Sequence, residues 1–234
     1  MKLIIFSDIH GNQYTFREFI KQINQIDYDM LIFCGDIFGY YYGQKEIIDK
    51  LSELKNLVWI IGNHDKYAVN VYSKIEDPIK YIENYGHSYD QILADCRSDQ
   101  IDRIRRLPDY FILQLLGKKI GVFHGTPEDY TCGRLYPNEL SNLSTVYNEY
   151  DYVILGHTHF RMNYKYGHTT IINPGSLGQH RDGKGFGYFI LDLERDVGKF
   201  VNVEIDLEPL YKEIDVNDKR LIKLKDVLER RAVE

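Results

Sequence analysis

LIIFSDIHG, residues 3–11, is an apolar run of strand character that stops at Ser7 and then delivers an aspartate and a histidine two positions apart. An extended segment turns alternate side chains to one face, so Asp8 and His10 can offer an oxygen and an imidazole nitrogen to the same ion. Taken alone, the pair is a weak pattern. Outward from it the same grammar repeats: MLIFC (30–34) runs into Gly35-Asp36, LVWII (57–61) into Gly62-Asn63-His64-Asp65, IGVF (120–123) into His124-Gly125, and YVIL (152–155) into Gly156-His157-Thr158-His159. In open α/β sheets ligands sit beyond the carboxyl ends of the strands, so these ends can converge on one crevice.

The segments between the blocks set the fold class. Strand 2–7, a helical stretch over 14–26, strand 30–34, an amphipathic helix over 44–55 and strand 57–61 form a βαβαβ series, which implies a parallel sheet. FILQL, then Leu116-Gly117-Lys118, then KIGVF is a hairpin signal, and KYGHTTII and FGYFILDL continue a second, more antiparallel series. Two sheets packed face to face are expected. Residues 66–107, rich in tyrosine and charge and stopped by Pro108, are expected to form a helical cap insertion over the site within a single domain spanning 1–234. DKRLIKLKDVLERR (218–231) is expected to form a terminal amphipathic helix.

The 234 residues carry a net charge of −6 and no basic stripe, so nucleic acid is not an expected partner. Arg97, Arg103, Arg105 and Arg106 make a local basic patch, read as helix-face charge beside Asp99 and Asp102. The apolar run in MKLIIFSDIH is too short for a signal h-region or a membrane span, which leads to the expectation of a cytoplasmic protein with no membrane partner. Cys34, Cys96 and Cys132 are odd in number and widely spaced, giving neither a disulfide framework nor a thiolate zinc site.

Each block contributes a donor type suited to a metal. Asp36 has two oxygens and can bridge cations about 3.5–4 Å apart, although Gly-Asp also occurs in plain turns. Asn63 supplies a neutral carbonyl oxygen. His124, His157 and His159 supply nitrogens, and His-x-His between a glycine and a loop is a better ligand pattern than a core pattern. Together they compose one site of Asp8, His10 and His159, another of Asn63, His124 and His157, and a shared Asp36. Such a nitrogen and oxygen set admits several divalent ions, with manganese expected in vitro and iron or zinc also compatible.

In this order the blocks Asp8/His10, Gly35-Asp36, Asn63/His64, His124 and His157/His159 resemble the D-x-H, GD, GNH-D/E, H and GHxH series of the calcineurin-like metallophosphoesterases. Asn173-Pro174-Gly175-Ser176 with Leu177-Gly178-Gln179 resembles the corresponding stretch of small prokaryotic phosphodiesterase and diadenosine-tetraphosphatase-like members. The resemblance implies a four-layer α/β/β/α sandwich of two mixed sheets flanked by helices, two divalent metal ions (nickel being a further option) and hydrolysis of a phosphoester. In such a reaction a water shared by the ions becomes the nucleophile. His64, left over from the ligand set, is the expected general acid or phosphate donor, with Asp65 expected to hold its ring and raise its pKa.

Where the protein Ser/Thr phosphatases of that superfamily carry an arginine after the GD block, this chain reads Gly35-Asp36-Ile37-Phe38-Gly39-Tyr40. Arg161 and Arg181 are the candidate phosphate-binding cations in its place, and Tyr40 is a candidate to stack on a base or aryl group. His87, His168 and His180 are read as unrelated to metal. The expected activity is cleavage of a small phosphodiester or phosphoanhydride, a nucleotide among the candidate substrates. Phosphomonoesterase, metal-poor scaffold and nuclease are the alternatives, and homo-oligomerisation is left open.

Overall fold

The computed structural model describes residues 1–140 and 143–230. Two five-stranded mixed sheets face each other. The first contains β1 (Lys2–Phe6), β2 (Met30–Phe33), β3 (Leu57–Trp59), β9 (Gly187–Asp192) and β10 (Val197–Asn202), in the order β10-β9-β1-β2-β3. The second contains β4 (Tyr110–Leu115), β5 (Lys118–Phe123), β6 (Tyr152–Ile154), β7 (Met162–Tyr166) and β8 (Thr169–Asn173), in the order β4-β5-β6-β8-β7. β1, β2 and β3 run parallel, as do β5, β6 and β8, while β9 lies antiparallel to β1 and β4 antiparallel to β5.

Period-2 alternation divides each strand between two cores. Leu3, Ile5 and Ile32 meet Ile120, Val122, Ile154 and Ile172 between the sheets. Ile4, Phe6, Leu31 and Phe33 point outward into a helical layer. That layer holds α1 (Gln13–Ile23) and α2 (Gln44–Glu53), whose apolar faces carry Phe16, Phe19, Ile47 and Leu51. The second sheet is covered on its outer face by Leu135, Leu140 and Tyr147, the last from the 3₁₀ turn Thr145–Glu149.

Residues 66–107 fall in four helices, of which the first begins earlier than the sequence indicates: α3 (Asn63–Tyr72), α4 (Pro78–Tyr85), α5 (Ser88–Asp95) and α6 (Ser98–Arg105). Their buried side chains, Val69, Tyr81, Ile92 and Ile101, join the same core as α1 and α2. The segment thus belongs to the helical layer of the first sheet, and the end of α4 reaches the strand-end crevice through Tyr85.

The carboxyl-terminal expectation is corrected. Helix α7 (Glu208–Asn217) comes earlier, and the stretch read as one helix begins with an interruption, followed by a short α8 (Lys223–Asp226) and a 3₁₀ turn Val227–Glu229. The cause is Asp218, which turns inward and accepts hydrogen bonds from Tyr42 Oη (2.6 Å) and from His87 N (3.0 Å) and pairs with His87 Nδ1 (2.7 Å). Arg231, the last residue of that expected helix, lies outside the described residues. Among the described residues no helix is long and apolar enough to cross a membrane.

Candidate metal centre

The five blocks leave their strands at one edge and meet. Several of the meeting residues adopt a backbone conformation rare for anything but glycine: Asp8 (φ 56°), His10 (49°), Asp36 (65°), His157 (64°) and His159 (62°) are all left-handed. Such conformations cost on the order of 1–3 kcal/mol each and persist where the surroundings over-determine them. Hydrogen bonds do this here. Asp8 N donates to Gly35 O (3.0 Å), His10 N to Asp36 O (3.1 Å) and His157 N to Asp8 Oδ2 (3.1 Å). Gly62 is required by close approach, because a Cβ there would overlap the Asp36 carboxylate.

Three groups of ligating atoms lie within 4.8 Å of one another: Asp8/His10/His159, His10/Asp36/His64 and Asp36/His124/His157. Asn63 joins the last, its Oδ1 being 3.0 Å from His124 Nε2. The sequence-derived set is therefore brought together, with His64 close enough to form a third grouping.

The orientation of the rings is fixed by their outer partners. His10 Nδ1 lies 2.7 Å from Phe38 O, His124 Nδ1 2.6 Å from Cys34 O and His159 Nδ1 2.5 Å from Gln179 O. A carbonyl can only accept, so each Nδ1 carries a hydrogen and each Nε2 faces inward, where its lone pair serves a metal once no second proton occupies it. His10 Nε2 and His159 Nε2 then face each other at 3.1 Å. Two metal–nitrogen bonds of about 2.1 Å at 90–110° would place their nitrogens about 3.0–3.4 Å apart. Asp8 Oδ1 is 3.2 Å from His159 Nε2, and Asp36 Oδ2 is 3.1 Å from His124 Nε2. Both carboxylate oxygens are buried and accept no hydrogen bond among the described residues. Buried carboxylate oxygens gathered with inward-facing imidazole nitrogens are what a bound cation satisfies. The residues present fit divalent metal.

The electrostatics agree. Burial works against ionisation of Asp8 and Asp36, yet the neighbouring histidines, His159 for Asp8 and His124 for Asp36, hold both well below the usual carboxylate range. Burial also opposes charge on His124, but Asp36 and Asp8 push its pKa up to about 10. The pocket is short of positive charge and recruits a proton where a metal is wanted. His157 is held down to about 4, by burial first and then by His124.

Two expectations fail. Asp65 does not hold the His64 ring. Its carboxylate accepts from the backbone N–H groups of Asp36 (2.9 Å), Ile37 (2.8 Å), Phe38 (3.1 Å) and Gly62 (3.1 Å), so it organises the loop that carries Asp36. His64 Nδ1 has no hydrogen-bond partner among the described residues, and burial brings its pKa down to about 4 against the upward pull of Asp36. Arg161 is not a phosphate ligand either: its guanidinium is committed to Asn202 Oδ1 (2.7 Å), Gly185 O (3.1 Å) and Phe186 O (3.0 Å), which tie the β9–β10 hairpin to the loop after β6.

Arg181 and Tyr40 do lie beside the cluster. The Tyr40 ring packs against His10 (4.8 Å between centroids) and His64 (5.2 Å), and its hydroxyl accepts from Arg181 Nη2 at 3.1 Å. Tyr85 completes this wall, 4.6 Å from His64. Sequence reasoning missed Arg134, whose Nε donates to His157 Nε2 at 3.2 Å. It stands in the loop between β5 and β6, outside any block, and no pattern in the sequence singles it out. His180 donates from Nε2 to Leu228 O (3.2 Å) and, like His87 on Asp218, takes no part in the metal groups.

The chain is 25% identical over 235 residues to an uncharacterized protein of Methanocaldococcus jannaschii, covering 92% of each. Its fold is similar to that of a metallophosphoesterase from Sphaerobacter thermophilus (TM-score 0.80, 22% identity, 98% of both chains) and of a hypothetical protein from Pyrococcus horikoshii OT3 (TM-score 0.79, 18% identity, 99% of both). Residues 1–196 match the model of the calcineurin-like phosphoesterase superfamily domain. With that match over most of its length, the chain belongs to the calcineurin-like phosphoesterase superfamily, whose members use divalent metals to hydrolyse phosphoesters.

Proposed function

We propose that the protein is a dinuclear metal-dependent phosphohydrolase that cleaves small phosphodiester or phosphoanhydride substrates. The observation that carries this reading is the pair of buried carboxylate oxygens, Asp8 Oδ1 and Asp36 Oδ2, each within 3.2 Å of an inward-facing histidine nitrogen. Asp8, His10 and His159 would hold one ion and Asn63, His124 and His157 the other, with Asp36 between them. When bound, the ions supply Lewis acidity toward phosphate oxygens and lower the pKa of a water from 15.7 toward about 7.

The remaining work falls to the chain's own side chains. His64, neutral and packed between His10, Tyr40 and Tyr85, is the group available to donate a hydrogen to the leaving oxygen. Arg134 takes the role first assigned to Arg161, because its guanidinium is at the mouth of the cluster on the His157 side. The preference for diester or anhydride over monoester rests on the Asn173–Gln179 resemblance. The nuclease reading loses support because two of the four arginines of the basic patch are paired, Arg97 with Asp99 (3.0 Å) and Arg105 with Asp102. A metal-poor scaffold would not be expected to keep every ligand and His64.

The test is parallel hydrolysis of diadenosine tetraphosphate, bis-p-nitrophenyl phosphate and p-nitrophenyl phosphate by Mn²⁺-reconstituted protein, with metal-stripped protein as control. Metal-dependent turnover with both diester and anhydride ahead of the monoester supports the reading. Turnover of the monoester alone overturns the substrate class, and failure to bind metal overturns the hydrolase.

A further inference from the structure

Beside the metal cluster, on the far side of Tyr40, lies a cleft of about 330 Å³ lined by Tyr40, Asn84, Gln179, Arg181, Lys223 and Arg230. Its formal charge is all of one sign. Arg181, Lys223 and Arg230 line it and no acidic residue does, in a chain whose net charge is −6. Among the described residues no carboxylate pairs with Arg181, Lys223 or Arg230; Arg181 donates only to neutral oxygens, Tyr40 Oη and Gln179 Oε1 (both 3.1 Å), and Lys223 Nζ to Asn84 O (2.9 Å). Concentrated positive charge without internal counter-charge is a standing site for an anion.

The cleft is assembled from parts that the metal site does not need. Arg181 follows the Asn173–Gln179 loop, Asn84 lies in the last turn of α4, and Lys223 and Arg230 come from the carboxyl-terminal segment beyond residues 1–196 of the superfamily match. That segment is fastened down rather than laid loosely over the fold. Tyr41, fully buried, donates its hydroxyl to Leu224 O (3.0 Å), His180 Nε2 donates to Leu228 O (3.2 Å), and Leu224, Val227 and Leu228 are buried in the main core. These anchors set the backbone from which the two cations project.

Adjacency to the metal cluster through Tyr40 bears on what the anion is. Tyr40 is shared: its ring packs against His10 and His64, while its hydroxyl accepts from Arg181. Tyr40 is thus a wall common to the metal cluster and the cleft, and a ligand long enough to pass it would reach both. We propose that this cleft binds a second phosphate group of the substrate, so that the preferred substrates carry at least two phosphates, one cleaved at the metals and another held by Arg181, Lys223 and Arg230. The inference rests on the hydrolase reading above and narrows its substrate class to polyphosphate-bearing or bisphosphorylated molecules, diadenosine polyphosphates being one chemical example.

The test has a binding arm that is independent of turnover. Inorganic tripolyphosphate is titrated calorimetrically into metal-stripped protein, where Asp8 and Asp36 leave the catalytic cluster repellent to anions. Saturable, salt-sensitive binding is expected, weakened about tenfold or more in the exposed Lys223→Ala/Arg230→Ala double variant and largely restored by Lys223→Arg on the Arg230→Ala background. No binding, or binding the double variant does not change, overturns the cleft whether or not the protein is a hydrolase. The kinetic arm compares substrates on Mn²⁺-loaded protein: the KM for diadenosine tetraphosphate should rise about tenfold more in the double variant than that for bis-p-nitrophenyl phosphate, which has no second phosphate. Loss of tripolyphosphate binding with equal effects on both substrates would leave an anion site but overturn its assignment to the substrate. Absence of turnover on every substrate with tripolyphosphate binding intact would count against the hydrolase reading and the substrate assignment together, leaving the anion site standing.

Discussion

Asp8, His10 and His159 are sealed in the interior, whereas Asn63 and His157 on the other half of the cluster are only half-buried and His157 is already touched by the exposed Arg134. In the sealed half the rings of His10 and His159 are locked by backbone carbonyls and their Nε2 atoms sit at a separation suited to joint coordination. In the open half Nε2 of His157 still accepts a hydrogen bond from a mobile type of side chain. If the cluster holds two cations as proposed, the first position is closed by folding alone, whereas the second, although His124 is sealed and held by Cys34 O, keeps a side open to the surface. A preorganised ligand set binds more tightly because the ordering cost was met on folding.

The largest effect expected from this contrast is on metal affinity. His10→Ala should abolish the tighter step of a calorimetric Mn²⁺ titration and weaken the other, since Asp36 is shared. His157→Ala should remove only the weaker step, by about 10–100-fold in affinity. Loss of the tight step in His157→Ala would invert the comparison.

His64 lies at the boundary of the two halves without an inward hydrogen bond of its own. His64→Gln should lower kcat by about 10²–10⁴-fold while leaving two metals per chain by elemental analysis. A drop in metal content instead would make His64 a ligand, as its membership of the His10/Asp36 grouping also permits.

Asp65 serves the sealed half from outside. Replacing it with alanine strips the carboxylate from four backbone donors, and buried unpaired donors cost about 1–3 kcal/mol each. Urea unfolding of metal-free Asp65→Ala protein should show a stability loss of at least about 3 kcal/mol. A loss confined to activity, with the urea midpoint unmoved, would return Asp65 to the catalytic role that the sequence suggested.

The smallest effect belongs to the open half. Arg134→Ala should raise KM about tenfold with metal affinity nearly unchanged. If metal binding tightens markedly instead, Arg134 is a competitor for the lone pair of His157 rather than a phosphate ligand.

The residues of the cluster were legible because a parallel-sheet enzyme writes its site as polar blocks at the ends of apolar strands, and a strand end is visible in one dimension. Asp65 shows the limit of that reading. It is adjacent to His64 in sequence, and adjacency suggested partnership, but both lie in the first turn of α3, where successive side chains diverge by about 100° around the axis. Arg161 failed for a related reason: two residues beyond His159 and just before β7, its side chain leaves toward Asn202 instead of the metal-facing cluster. The terminal helix failed because Asp218 finds His87 and Tyr42, partners more than a hundred residues away.

By itself the sequence determined the two-sheet architecture, the family and the chemical types of the metal-facing side chains, since periodicity and ordered motifs are local properties of the chain. Only the tertiary structure decided the left-handed backbone of five of those residues, the inward lone pairs of the histidines, the place of Arg134 and the cationic cleft beside Tyr40. Each of these depends on a carbonyl, a carboxylate or a cation supplied by a distant segment, and distance along the chain carries no record of who meets whom in space.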